Sequence, residues 1–319
     1  MCTSIFYKTK NSYFGRTLDY EFSYGEKITI TPRNYPFKFR YLKENNNHYA
    51  IIGMAHIENN YPLYYEAMNE KGLAIAGLNF VNNAKYNEVI DRKNNVCQFE
   101  LIPYILINCT NIKEVKELLK NINITSTPFS NKLPCSSLHW MVSDLNNSIV
   151  IESTKDGLNI YDNEIGVLTN NPPFINQLEN LNKYQYLSNE NKNDSYNEAY
   201  FSRGLGAVGL PGDLSSMSRF VRVYFTKKYS LSSEEETKSV GQFFHIMNSV
   251  NQQRGCCKLN DKYEITIYTS CLNLNEGIYY YNTYNNKQIS AINLFKENLN
   301  NNNLITYELI DNEQINYQN

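Results

Sequence analysis

Cys2 stands directly behind Met1, at the head of the run Cys2-Thr3-Ser4-Ile5-Phe6-Tyr7. If Met1 is trimmed, this one residue carries both a thiol and a free α-amine. Such an amine titrates near ~7.7–8.0, so part of it is unprotonated at neutral pH and can take the thiol proton, directly or through a water. Nucleophile and base are then built from a single amino acid. Position alone also fits a small apolar strand residue, so the reading depends on the residues around it. Gly15-Arg16-Thr17-Leu18-Asp19 ends a second strand, and a turn at Asn11-Ser12 brings that end back beside Cys2. A guanidinium there favours the thiolate, and a carboxylate can hold the α-ammonium. Spacing alone also allows an ordinary exposed ion pair.

Three further polar residues break apolar patterns. Asn79 interrupts the strand-like run Gly77-Leu78-Asn79-Phe80, where a buried amide must find hydrogen-bond partners. Leu168-Thr169-Asn170-Asn171-Pro172 ends a strand on an amide before a proline turn. Arg219 follows Gly209-Leu210-Pro211-Gly212-Asp213 and lies on a mostly apolar helix.

The elements that must carry these residues come in blocks. Strands are expected at 2–8, 13–18, 28–32, 50–55, 63–68 and 73–80, separated by Asn, Gly and Pro turns. A helix capped by Thr110 or Asn111 follows, with Ile112, Val115, Leu118 and Leu119 on its apolar face. Strands at 138–143, 148–152 and 158–161 come next. Helices are expected at 176–187, at 215–229 and from Ser233 to Val250, the last with Ser233 as its cap. Strands at 264–271, 278–284 and 288–292 close the pattern, and the polar tail after Asn298 reads as loosely held. Strands, helices, strands, helices, strands is not repeated βαβ; it indicates an α+β protein with two packed antiparallel sheets and helices outside. Neither an internal repeat nor a splitting linker is visible, so residues 1–319 read as a single domain.

Bulk properties narrow the function. The 319 residues carry a formal charge of −2, which gives no electrostatic case for nucleic acid or an anionic membrane. The longest apolar stretch, Leu101 to Ile107, is too short to span a bilayer. The start has no basic-then-apolar leader pattern. Seven cysteines without paired CxxC spacing suggest a reduced, cytoplasmic protein. The four scattered histidines offer no metal site.

The segments M-C-T-S, F-G-R-T-L-D, M-N-E-K-G-L, A-G-L-N-F, L-H-W-M, G-V-L-T-N-N-P, G-L-P-G-D, S-R-F, Y-T-S-C and G-I-Y-Y-Y-N-T-Y occur in that order, between residues 1 and 295. Together they resemble the choloylglycine hydrolases, the bile salt hydrolases and penicillin V acylases among the N-terminal nucleophile hydrolases. The resemblance implies a four-layer αββα sandwich, loss of Met1 and a homotetramer. It implies Cys2 as nucleophile, Arg16 beside its sulfur and Asp19 holding the α-amine. Asn170 matches the side-chain amide of the oxyanion hole, with the Asn79 backbone N–H as its companion, and Arg219 matches a second arginine near the centre. Asn79 stands where bile salt hydrolases carry Asn and penicillin V acylases carry Tyr, which favours the bile-salt branch. The implied reaction cleaves the amide between a bile acid and taurine or glycine through a thioester, with no cofactor or metal. Leu18, Phe129 and Leu133 would line the steroid pocket, although plain core packing explains them nearly as well. Ser202-Arg203-Gly204 resembles the selectivity loop of taurine-preferring members. Penicillin V acylase activity is the alternative. If Met1 stays on, Cys2 has no base, and an inert bile-acid binder remains.

Overall fold

The N-terminal hairpin sets the frame. β1 (Cys2–Lys8) and β2 (Ser12–Tyr20) pair antiparallel, with Cys2 opposite Leu18 and Ser4 opposite Arg16. Because side chains alternate along a strand, Cys2 and Arg16 are diagonal neighbours on one face, while Thr3, Thr17 and Asp19 share the other. Gly15 beside Arg16 is required by packing: a Cβ there would lie 2.0 Å from the Ser270 carbonyl oxygen on the next strand.

The computed structural model describes residues 1–191 and 202–319. Its first large sheet joins β1 and β2 to β12 (Val167–Leu168), β15 (Ile265–Asn273), β16 (Ile278–Thr283) and β17 (Ser290–Asn293), in the order β12-β1-β2-β15-β16-β17. The second contains β3 (Lys27–Thr31), β4 (Ile51–Glu58), β5 (Tyr61–Asn69), β6 (Ala74–Asn79), β9 (Leu138–Ser143), β10 (Ser148–Thr154), β11 (Gly157–Asp162) and β18 (Ile305–Tyr307), in the order β11-β10-β9-β6-β5-β4-β3-β18. Every pairing in both is antiparallel. Two minor pairs are β7 (Asn94–Cys97) with β8 (Ile122–Thr125), and β13 (Lys258–Leu259) with β14 (Lys262–Tyr263).

Two apolar cores define four layers. One gathers the facing sides of the large sheets, through residues such as Ile5, Phe14, Met54 and Met141, together with Phe220 and Val223 of α4 (Ser216–Tyr229) and Phe243 and Met247 of α5 (Glu236–Asn248). The other packs the outer side of the second sheet, including Ile51, Ile75 and Trp140, under α1 (Leu101–Asn108) and α2 (Ile112–Leu119). The result is the expected αββα sandwich. α3 (Phe174–Leu181) packs beside α4, with Phe174 against Phe220.

Several expectations need correction. The tail after Asn298 is not loose throughout, because Ile305–Tyr307 pairs with β3. The helix expected at 176–187 runs from Phe174 to Leu181, and residues Asn182–Tyr184 continue as a tighter turn. The helix expected from Ser233 begins at Glu236; the Ser233 hydroxyl instead accepts the Glu235 N–H at 3.2 Å. Asn111 rather than Thr110 caps α2, accepting the Glu114 N–H at 3.0 Å. The apolar stretch from Leu101 is helix α1, with six of its eight residues buried.

Candidate active site

The pleat of β1 and β2 divides the chemistry between two faces of the first sheet. On the face toward the second sheet, Arg16 Nη2 lies 2.5 Å from Cys2 Sγ. Arg16 also donates from Nη1 to Gly77 O at 2.7 Å and from Nε to Thr17 O at 3.2 Å. Its charge is opposed by Glu66, 3.8 Å away, whose carboxylate accepts the hydroxyls of Tyr268 at 2.8 Å and Tyr279 at 2.5 Å. All of these groups are buried. Burial alone would pull the Arg16 pKa down, but the negative charge available at Cys2, Tyr268, Glu66 and Asp19 holds it above its ordinary value. The guanidinium is therefore a fixed cation in contact with the sulfur.

On the helix-facing side, Asp19 accepts Thr266 Oγ1 at 2.7 Å and Thr17 Oγ1 at 3.0 Å, with Arg219 Nη1 4.0 Å away. Burial raises its pKa; the N-terminal ammonium, Arg219 and the two threonines oppose that rise. A bulge between Thr266 and Tyr268 aims Thr266 at this carboxylate. Ser215 caps α4 and puts Arg219 in its first turn. From there Arg219 donates to Cys2 O at 2.7 Å, Thr3 Oγ1 at 2.6 Å and Asn170 Oδ1 at 2.8 Å. It thus clamps the strand that carries the nucleophile to the turn that carries Asn170. Burial lowers its pKa, against the pull of Asp19 and Cys2.

Asn170 links both faces at the end of the sheet. Its Oδ1 also accepts the Cys2 N–H at 2.8 Å, and its Nδ2 donates to Asn79 O at 2.9 Å. Beyond Ala76, β6 loses β5 as a partner. The freed edge offers Gly77 O to Arg16 and Asn79 O to Asn170. With Met1 in place, Cys2 N is a peptide amide. The Met1 ammonium meets Asp19 O at 2.5 Å and Glu264 Oε1 at 2.8 Å, and Asp19 N–H donates to Met1 O at 2.9 Å.

A cavity of about 390 Å³ descends to Cys2 and Arg16. Leu18, Phe129 and Leu133 lie on its wall, joined by Tyr65, Phe99 and Leu138, and Asn79 reaches it while staying partly exposed rather than buried. The structure thus brings Cys2, Arg16, Asp19, Asn170 and Arg219 into one hydrogen-bonded group. Ser202, Arg203 and Gly204 are exposed and are not on this wall. Sequence reading missed Glu66, whose signal was a lone charge in the run Tyr64-Tyr65-Glu66-Ala67-Met68, and Thr266, which carried none. Among the described residues, no three His, Cys, Asp or Glu side chains are grouped to hold a metal.

Two antiparallel sheets between helical layers, with a cysteine at the start of the chain in their seam, are the N-terminal nucleophile hydrolase fold. Residues 2–307 match the linear amide C–N hydrolases of the choloylglycine hydrolase family. The chain is 54% identical over 314 residues to a bile salt hydrolase/transferase of Lactiplantibacillus plantarum, covering 97% of each chain. A conjugated bile acid hydrolase from Clostridium perfringens superposes over 100% of both chains, with a TM-score of 0.93 and 41% identity. A penicillin V acylase from Agrobacterium tumefaciens shares the fold, with a TM-score of 0.79 at 18% identity over 96% of this chain and 91% of that one. The chain belongs to the choloylglycine hydrolase family, and it is a hydrolase of linear amide C–N bonds. Among the described residues, no helix is long and apolar enough to cross a membrane.

Proposed function

We propose that this protein is a conjugated bile salt hydrolase that works with Met1 removed. The observation that carries the reading is the cavity whose apolar wall leads down to Cys2 Sγ under Arg16. A rigid, largely apolar steroid suits such a wall, with its conjugated carboxyl at the polar floor.

The Cys2 thiolate attacks the amide carbonyl carbon, and the C=O electrons move to oxygen. Asn170 Nδ2 has a second hydrogen beyond the one given to Asn79 O. The Asn79 N–H lies on the same free edge of β6 as the Asn79 carbonyl. These two donors hold the oxyanion, each worth ~2.7–4 kcal/mol. As the C–N bond breaks, the Cys2 α-ammonium protonates the leaving nitrogen. The resulting amine takes a proton from water, whose oxygen attacks the thioester and releases the bile acid and the thiolate. Asn170 Oδ1, already the partner of Cys2 N, holds the amine, with Asp19 beside it as the family resemblance implies, and Arg219 fixes the strand through Cys2 O.

We infer a preference for taurine conjugates, with Arg203 as the group that meets the sulfonate. Its guanidinium is exposed and off the wall of this cavity, and it would meet the leaving group at the mouth of its own site or in that of a neighbouring subunit of a homotetramer. Lack of paired CxxC spacing supports a reduced, cytoplasmic setting. The test is amine release from glycocholate, taurocholate and penicillin V. Fastest release from taurocholate fits the proposal. Faster release from penicillin V than from either bile salt replaces it with an acylase, and release from none of the three overturns it.

A further inference from the structure

Two buried residues that take no part in this chemistry, His139 and Glu152, brace the neighbours of its two oxyanion donors, which themselves meet through Asn170 Nδ2 and Asn79 O. His139 belongs to the L-H-W-M segment on β9 and is fully buried. Its ring lies flat on Phe80, with centroids 4.3 Å apart and planes 7° from parallel. Phe80 directly follows Asn79. On the other side, His139 Nε2 lies 2.8 Å from Thr169 O, and Thr169 directly precedes Asn170. His139 Nδ1 lies 3.0 Å from Glu152 Oε1. Both ring nitrogens thus face oxygens that accept. The ring donates from Nε2 to the Thr169 carbonyl, and Nδ1 faces the Glu152 carboxyl group.

The same Glu152 Oε1 accepts the Phe174 N–H at 2.9 Å, at the start of α3. One carboxylate oxygen therefore pins both ends of the segment that carries Asn170: Thr169 through His139, and Phe174 directly. Between those ends, the Asn170 N–H donates to Ser216 Oγ at 2.8 Å, and Gln177 Nε2 donates to Asn170 O at 3.2 Å. A histidine that only filled the core would not need a carboxylate partner, whose own desolvation is costly.

We propose that His139 and Glu152 are positioning residues that, joined through Nδ1 and Oε1, hold Asn170 in place against Asn79, and with it the oxyanion site. The inference rests on Asn170 being an oxyanion donor. His139→Phe keeps the stack on Phe80 and removes both hydrogen bonds. It is expected to lower kcat by roughly tenfold or more while KM stays within about threefold, because a misplaced donor weakens the transition state rather than steroid binding. Alkylation of Cys2 by iodoacetamide is expected to fall far less than turnover, staying within about threefold of wild type, since the Arg16 contact with the sulfur lies on another strand even where the hold of Asn170 on Cys2 N loosens.

The deciding readout is a double-mutant cycle. In an Asn170→Ala background, His139→Phe should cost no more than about twofold in kcat/KM, because the group it positions is gone. Penalties that multiply, or alkylation that falls together with turnover, overturn the proposal. If His139→Phe does not fold, Glu152→Gln carries the same cycle. The amide oxygen can still accept from Phe174, but the carboxyl group facing Nδ1 is lost, and the same non-additivity is expected. A crippled Asn170→Ala with an additive cycle removes only this inference; normal turnover by Asn170→Ala removes the oxyanion assignment as well.

Discussion

At the floor of the cavity Cys2 and Arg16, and behind it Asp19, Asn170 and Arg219, are all buried and bonded to named partners, whereas at its rim Lys132, Pro134 and Ser136 are exposed, as are Ser202, Arg203 and Gly204 away from the wall. The floor is held by the seam between two sheets, where a misplaced charge would cost several kcal/mol. The rim is loop, where a substitution costs little stability and can retune what binds. Under the proposed roles, chemistry and specificity lie in regions of different burial, and substitutions in each should fail differently.

The largest effect is expected at the floor. Cys2→Ser should leave less than roughly a thousandth of wild-type turnover with the fold intact, read by amine release and circular dichroism. Replacing Arg16 alone would orphan the Glu66 charge, so the informative variant is Arg16→Met with Glu66→Gln. Turnover should fall by about a hundredfold, and iodoacetamide labelling of Cys2 should slow toward that of the cysteines that have no cation. Burial pushes Cys97 and Cys109 up to about 12 and raises Cys271 well above its ordinary value. In the wild type Cys2 should therefore label ahead of these three, with exposed Cys256 as the internal control. Equal labelling of Cys2 and Cys271 would erase the contrast between the floor and ordinary core.

Substitutions in the exposed loops should move ratios rather than abolish activity. Arg203→Gln should cost roughly tenfold in kcat/KM on taurocholate and little on glycocholate, as expected for loss of one charge-assisted bond. An unchanged ratio would detach this loop from leaving-group choice. Asn79 stands between the two regions, with its backbone on the floor and its side chain at the cavity. Asn79→Tyr should give the smallest effect, a modest shift from bile salts toward penicillin V, read as the ratio of the two activities.

Floor and rim also differed in how far the sequence revealed them. Cys2, Arg16 and Asp19 lie on one hairpin, so a turn and a period of two were enough to set Arg16 beside Cys2 and Asp19 on the opposite face at the same strand end. Asn170 and Arg219 were found through motif order, because nothing local says that residues 2, 170 and 219 meet. Glu66 and Glu152 stayed hidden for the same reason: each looks like an ordinary strand charge until Arg16 or His139 arrives from a distant strand. His139 sat in a recognised segment, yet its role depends on Thr169, thirty residues away. Among the elements, α1 was missed because an apolar run buried on most sides has no amphipathic period. The short strand Ile305–Tyr307 was missed because only β3 gives it a partner.

The central claim is that a matured Cys2 carries the acyl group. Enzyme quenched in acid during glycocholate turnover, digested and sequenced by mass spectrometry, measures this directly. The N-terminal peptide is predicted to begin at Cys2 and to carry a cholyl thioester. A turnover-competent chain that keeps Met1, or an acyl group found on another residue such as Cys256, would contradict it.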